Sequence, residues 1–512
     1  MVIFEILYIL SAAILAVYGY NTLFLAWLRV RRTTPNQEKK AGPEFDWPQV
    51  TVQLPIYNER YVVNRLIDSI VLLKYPRDRL EIQVLDDSSD DTVQIVAHAV
   101  ARQRAKGFDI SHIRRENRQG YKGGALEHGL DHAKGEFIAI FDADFLPSPG
   151  FLEEMIPYFA DSPDIGCLQA RWGHLNHEDS WLTRAQATGI DGHFIIEQET
   201  RSEKGVFLNF NGTAGIWRRT CIEDAGGWHH DTLTEDLDLS YRAQLRGWQI
   251  RYLPHISAPA ELPAHINAYK RQQFRWAKGS IQTAIKTLGA LWRSTNPTTV
   301  KIEGTIHLTN YAVHPLMLLN LILTLPLMIN KSQLLWLIPI FTFAAIGPWL
   351  MYWVAMREQG RGYQERISNL VMLVFLGAGL SLNNTRAVVE ALLGKQSSFL
   401  RTPKFNQRGR FREDKSISSY LLPRDANVWI EILLALYAAL LFVYAVSAGL
   451  WSIGPWLFMY FGGFSYVSGL NFIQSRQNAL KNSRLRVNKI NLGSHQQTAQ
   501  QIQQKPESII VD

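Results

Sequence analysis

The sequence predicts an α/β domain set between membrane-spanning helices. Apolar residues are segregated into an N-terminal run and into runs beyond His307, while residues 51–302 have a mixed, globular composition. Between Val50 and Asp144, short apolar stretches alternate with stretches of helical period, which is the pattern of a parallel sheet covered by helices. Polar residues collect just after the strands, where open α/β sheets bind their ligands.

The elements follow in chain order. Residues 2–30 are long enough to span a bilayer, which takes about 20 mostly apolar residues. The run has neither a basic n-region nor a small-residue cleavage site, so it reads as a retained helix. Arg29, Arg31, Arg32, Lys39 and Lys40 follow it. Positive charge at a membrane end places the N-terminus outside and the next domain in the cytoplasm.

That domain opens with strands expected at 50–54, 80–85, 110–114 and 137–141, and helices at 60–73, 92–104 and 122–133. Strand one runs into PIYNE with Tyr57 and Glu59, strand two into DDSSD with Asp87, and strand four into DAD with Asp142 and Asp144. Taken alone, DDSSD reads as a helix N-cap and DAD as a turn. Together, the acids share one crevice and repel without a cation. An oxygen-ligated divalent ion bridging a substrate's phosphates resolves that repulsion. Lys122 opens a helix in KGG and can set a cation and N–H groups beside a phosphate. No GxxxxGK[ST] loop is present, which argues against ATP hydrolysis.

Downstream lie FNGTAGIWRR and TEDLDLSYR. Glu235, Asp236 and Asp238 are too closely spaced for capping of a helix over 237–245 to explain all three, and a carboxylate beside the metal can accept a proton from a hydroxyl. QQFRW follows, with Gln272, Arg275 and Trp276 between Arg271 and Lys278. It fits either an interfacial anchor or a substrate-holding segment.

Further spans are expected at 306–329, 334–355, 429–451 and 455–473. Basic loops flank residues 367–392 on both sides, so that segment reads as a re-entrant or interfacial pair of short helices. The net charge of +7 is clustered at these membrane ends rather than in a stripe, which excludes a nucleic-acid partner. Cys167 and Cys221 give neither a disulfide framework nor a zinc spacing. The expected organisation is a membrane helix at 1–31, a catalytic domain at 46–303 and a membrane region at 304–474. The last of these includes the 367–393 segment and a cytoplasmic loop at 394–428, and a basic, then Gln-rich and disordered tail covers 475–512.

As an ordered set, QLPIYNER, QVLDDSSD, DAD, FNGTAGIWRR, TEDLDLSYRAQLRGW and QQFRW resemble the membrane-embedded family 2 glycosyltransferases, most closely the cellulose-synthase-like mannan and glucan synthases. The resemblance covers roughly residues 51–404 and implies a GT-A-type, Rossmann-like domain. It places Tyr57 and Glu59 near the donor's base, Asp87 on the nucleotide and Lys122 in the donor site. Asp142 and Asp144 are implied to hold the diphosphate through Mg2+ or Mn2+. Asp236, with Glu235 beside it, is implied to be catalytic, and Gln272, Arg275 and Trp276 to form the acceptor and diphosphate end. FLRTPK resembles a gating loop, with Thr402 and Lys404 touching phosphate, although Arg401 stands where that loop carries valine.

The reaction expected is inverting transfer of mannose or glucose, from GDP-mannose or UDP-glucose, to a growing β-linked chain that passes through the spans. The enzyme is expected in the plasma (inner) membrane with its catalytic domain cytoplasmic. A non-processive transferase acting on a ceramide- or diacylglycerol-type lipid shares the same donor residues. A transporter with a regulatory domain lacks the intramembrane charge that such a pathway needs.

Overall fold

Seven strands make one mixed sheet: β1 (Val50–Ile56), β2 (Leu80–Asp86), β3 (Asp109–Ile113), β4 (Phe137–Ile140), β5 (Ile165–His174), β6 (Gly215–Arg218) and β7 (Gln249–Ala260). Their spatial order is β3-β2-β1-β4-β6-β5-β7. The computed structural model describes residues 2–31, 39, 42, 44–160, 162–334, 343–397, 425 and 427–477.

The first four strands are parallel, as the alternating pattern predicts. Beyond Asp144 the sheet departs from that pattern, because β6 runs antiparallel to both β4 and β5 while β7 is parallel to β5. β1 lies in the parallel half and is almost wholly buried although it contains Thr51 and Gln53. Its neighbour pairs with both polar side chains. Thr51 Oγ1 donates to Glu81 Oε2 at 2.6 Å, and Gln53 Nε2 donates to Gln83 Oε1 at 3.1 Å. Polar residues thus pair across the two strands, although Gln53 Oε1 and Gln83 Nε2 are buried without a partner among the described residues.

The two faces of the sheet are covered separately. Val52, Leu54, Leu66 and Ile70 belong to one core, and Leu126, Ile138, Trp217 and Leu239 to the other. The first helix, Val63–Ile70, is shorter than the periodicity indicates, while Thr92–Arg104 matches it and Tyr121–Asp131 begins one residue earlier. Between Ala170 and Arg171 the β5–β7 register slips, so that Arg171 faces Ser257. Irregularities of this kind re-aim a strand. Here the slip precedes Trp172, Gly173 and His174, which line the cleft described below.

QQFRW lies in one long helix, Ile266–Arg293, between two buried lysines. The Lys270 ammonium pairs with Asp425 at 2.8 Å and with Glu431, and Lys278 donates to Glu390 Oε2 at 3.0 Å. The acidic partners belong to or adjoin the later apolar helices, so the two lysines clamp the helix to the membrane region from either side of the motif. A buried charge is costly unless paired, and these pairings also account for Glu431, a carboxylate fully buried in an apolar helix.

Among the described residues, three helices are long and apolar enough to cross a membrane: Val2–Val30, Thr298–Ile329 and Val428–Ser447. Their outward faces expose residues such as Ile3, Leu10, Val17, Leu433 and Leu440. Exposed apolar surface on this scale suits lipid rather than water, and the chain is a membrane protein. The second of these helices begins at Thr298 rather than at 306, through a short 3-10 turn at Asn310–Ala312. Of the expected span at 334–355, residues 335–342 lie outside the described residues, and the helix Ile346–Glu358 follows. Residues 363–392 form two helices, Tyr363–Gly379 and Ser381–Leu392, bent by 45° at the break between them. A further helix covers 454–477.

Small residues let these helices approach closely. A Cβ on Gly347 would lie 2.0 Å from the carbonyl of Gly19, and one on Gly379 would lie 2.3 Å from that of Gly463. Such contacts are the usual means of helix packing in lipid.

Candidate active site

The ends of β1, β2 and β4 converge on one cleft, as the strand-end rule requires. Tyr57, Glu59, Asp87, Lys122, Asp142, Asp144, Glu235, Asp236, Gln272, Arg275 and Trp276 all line it. Of the site residues expected from the sequence, Thr402 and Lys404 alone are not placed, because the whole FLRTPK segment lies outside the described residues.

The end of the cleft formed by the β1 and β2 loops is built on backbone that few residues adopt. Asn58 has φ +54°, and its N–H donates to Ser88 Oγ at 2.8 Å while its amide oxygen accepts from the Ser89 N–H at 2.9 Å. The PIYNE and DDSSD loops are thereby tied to each other. Within DDSSD the acids divide. Asp86 is buried and holds His112 Nε2 at 2.8 Å, and Asp90 accepts the Thr92 N–H at 2.9 Å in the manner of a cap. Asp87 faces the cleft and accepts from Arg115 at 3.0 Å through Nε and 2.5 Å through Nη2. The Arg118 guanidinium lies 3.3 Å over the Tyr57 ring. The sequence reading assigned no role to either arginine. Both follow β3 and reach these partners only through the fold.

At the centre, Lys122 Nζ donates to Asp142 Oδ1 at 2.6 Å and to the Gly212 carbonyl at 2.9 Å. The glycines of KGG permit this helix to come close. A Cβ on Gly124 would sit 2.3 Å from the Gln119 carbonyl, and one on Gly123 would sit 3.3 Å from Glu235 Cβ. Burial disfavours the Lys122 ammonium, but Asp142, Glu235 and Asp236 outweigh it and hold its pKa above the usual lysine value.

The acidic pair of TED sits in the first turn of the helix Glu235–Leu245. Of the two capping candidates, Thr234 makes no side-chain cap hydrogen bond and faces Thr283, while Asp236 Oδ1 accepts the Leu237 N–H at 2.9 Å. Burial and then the neighbouring Glu235 push the Asp236 carboxyl up to about 7, against the pull of Lys122. Glu235 is raised for the first of those reasons, and Lys122 opposes the rise. A carboxylate whose pKa lies near the working pH suits proton transfer. Asp236 also sits against the FNG loop, because a Cβ on Gly212 (φ +82°) would lie 2.7 Å from Asp236 Oδ2.

Asp238 is a different matter. It is fully buried, 2.8 Å from Arg242 and 2.9 Å from Lys286. With His229 and Asp231 it makes an acid and imidazole cluster that could in principle hold a metal. However, Lys286 also binds Asp231 at 2.7 Å, so two cationic side chains already neutralise the cluster.

At the other end of the cleft, Trp276 lies 6.4 Å from Trp172, ring centre to ring centre, and Trp172 packs on Phe145 and Phe194. Burial lowers the Arg275 pKa, with Glu235, Asp142 and Asp236 acting against that shift. The sequence reading passed over Trp172 because it stands in a strand that was not anticipated. An aromatic pair beside a guanidinium and several carboxylates can hold a polar ring with an apolar face.

The donors around Asp142 and Asp144 are carboxylate oxygens, and Asp144 is buried. Oxygen donors of this kind suit a hard divalent cation, and a buried carboxylate favours pairing or metal coordination. The residues therefore fit such an ion.

Residues 48–279 match the family described as Glycosyltransferase like family 2. Glucomannan 4-beta-mannosyltransferase 1 of Oryza sativa subsp. japonica is 38% identical over 288 residues, covering 54% of this chain and 55% of its own length. Glucomannan 4-beta-mannosyltransferase 2 of Arabidopsis thaliana is 42% identical over 283 residues, covering 53% of each. The chain thus spans about half the length of the curated relatives it matches. A mannosyltransferase from Pyrobaculum calidifontis, solved in complex with GDP-Man and Mn2+, superposes with a TM-score of 0.54 at 20% identity. It covers 77% of this chain, with 100% of its own length matched, and this likeness establishes the shared fold. Residues 48–279 thus match the model of the family 2 glycosyltransferases, and with the mixed sheet and its strand-end cleft they have a GT-A-type fold.

Proposed function

We propose that the protein transfers mannose from GDP-mannose to the end of a β-linked glycan, with inversion at the anomeric carbon. The observation that carries this reading is that Asp236, the Lys122–Asp142 pair and the Trp172–Trp276 pair line a single cleft. The names of the relatives favour mannose over glucose and a β-1,4 linkage.

Asp87 and Arg115 bind the nucleoside, with Tyr57 offering the base an aromatic face. Asp142 and Asp144 would hold Mg2+ or Mn2+, which when bound would offset the charge of the leaving diphosphate. Lys122 and Arg275 supply further positive charge fixed in place before the reaction starts. Gln272 and Trp276 hold the terminal acceptor sugar against Trp172. Asp236 takes the proton of the acceptor hydroxyl as its oxygen bonds to the anomeric carbon and the bond to the diphosphate breaks. A carboxylate is a weak base toward an alcohol, so proton transfer runs together with bond formation, and positioning supplies much of the rate. Glu235 tunes its neighbour by keeping the Asp236 pKa high.

The basic cluster after Val30 favours a cytoplasmic catalytic domain. The bend between Tyr363–Gly379 and Ser381–Leu392 suits a re-entrant pair, and the spans would enclose the path of the growing chain. Thr402 and Lys404, which lie outside the described residues, would touch phosphate.

Replacing Trp276 tests polymer synthesis against lipid glycosylation. Stacking on an aromatic face is worth roughly 0.5–1.5 kcal/mol. Trp276→Ala is therefore expected to shorten or abolish the polymer while donor binding persists, and Trp276→Phe to retain part of the elongation. Product sizing of correctly inserted protein checks this. Unchanged product length in Trp276→Ala would return the residue to a membrane-anchor role and favour a lipid acceptor.

A further inference from the structure

Asn211 of the FNG loop faces the cleft, and the protein fixes its amide from three sides. Its backbone N–H donates to Gln169 Oε1 at 2.8 Å. Its side-chain oxygen accepts from Gln198 Nε2 at 2.6 Å, and its nitrogen lies 3.0 Å from His193 Nε2. His193 Nδ1 in turn lies 2.9 Å from Glu197 Oε2, and Glu197 Oε1 accepts from Arg201 Nε at 3.1 Å.

A carboxylate only accepts, so the ring proton sits on Nδ1 and the lone pair of Nε2 receives one hydrogen of the Asn211 amide. Every group in the chain thus has one assigned direction. The second amide hydrogen of Asn211 has no protein acceptor among the described residues. The support is local and unusual. Gly192–Gln198 is a π-helical turn, and its i→i+5 bonding brings His193 and Gln198 onto one face, where both reach the same amide. Single π turns inside α-helices are frequent at functional sites.

We infer that Asn211 binds a hydroxyl oxygen of the acceptor sugar through this second N–H, and that His193 is the positioning residue that keeps the donor turned into the cleft. The ligand class follows from the chemistry: a neutral, hydroxyl-bearing ring that accepts one hydrogen bond beside the Trp172–Trp276 pair. The adjacent Gly212 packs on Asp236, and Gln169 and Trp172 both belong to β5, so the hydroxyl held here adjoins the point of transfer. The inference rests on the transferase reading given above.

The test measures binding of β-1,4-mannohexaose to full-length protein in lipid nanodiscs, by tryptophan fluorescence, together with thermal stability and hexose transfer. Loss of one oriented hydrogen bond predicts that His193→Ala binds about tenfold more weakly. His193→Gln, whose amide can also accept from Asn211, is expected to bind within about threefold of the parent. Asn211→Asp keeps the shape, removes the donor and should bind as weakly as His193→Ala, with thermal midpoints unchanged. If Asn211→Asp or His193→Ala binds like the parent, or if His193→Gln binds no better than His193→Ala, the inference is overturned while transfer by the parent still supports the function. A parent that transfers no hexose and binds no oligosaccharide overturns both.

Discussion

Asp236→Asn is expected to leave donor affinity nearly unchanged and to lower turnover by on the order of 10²–10⁴-fold, the usual contribution of a positioned proton acceptor. An amide keeps the shape of the side chain and its acceptance of the Leu237 N–H, which lies 2.9 Å from Asp236 Oδ1. What it removes is the capacity to take a proton, so the effect falls on chemistry rather than on ground-state binding. A pH profile gives the same claim a second reading. The base acts only when ionised, and its pKa is pushed up to about 7. The parent rate should therefore fall as pH drops below about 7, and the residual rate of the asparagine variant should lose that limb. Turnover within a few-fold of the parent would mean that another group is the base, and Glu235 would be the first to try.

Stripping divalent cations is expected to abolish transfer, and adding Mg2+ or Mn2+ should restore it. The expectation comes from the all-oxygen donor set of Asp142 and Asp144 at the end of β4. The same strand end contains a competing arrangement, because Lys122 already lies 2.6 Å from Asp142. If the ammonium alone offset the charge of the leaving diphosphate, activity would survive chelation with metal removal verified by elemental analysis. Lys122→Ala would then be as damaging as loss of the carboxylates.

The parallel half of the sheet was legible because its strands are short apolar runs bounded by turn residues and separated by amphipathic helices. The helix Thr92–Arg104 matches the sequence expectation at both ends. β5, β6 and β7 were not legible for reasons visible in their residues. β6 has only four residues, and β7 contains Pro254 and Pro259, which depart from strand grammar. Pairing with β4 and β5 holds β6 in the sheet, and β7 pairs with β5 at the edge, where proline is tolerated. The acids of the cleft could be read because the strand-end rule gives them one address. Which acid faces the cleft came from the family resemblance, which singled out Asp87, and not from residue type, since Asp86, Asp87 and Asp90 differ only in the partners that the fold delivers: His112, Arg115 and a helix N–H. Asp238 shows the same limit. It shares a motif with Asp236, but the helix turns it toward Arg242 and Lys286.

The transferase account is tested most directly by incubating the purified protein in lipid with radiolabelled α-linked nucleotide sugars, GDP-mannose and UDP-glucose among them, and determining the size and anomeric configuration of the product. The account predicts label from GDP-mannose in a chain of β-linked mannose that an endo-β-mannanase degrades. Label in an α-linked product, or no transfer from any nucleotide sugar, would contradict it.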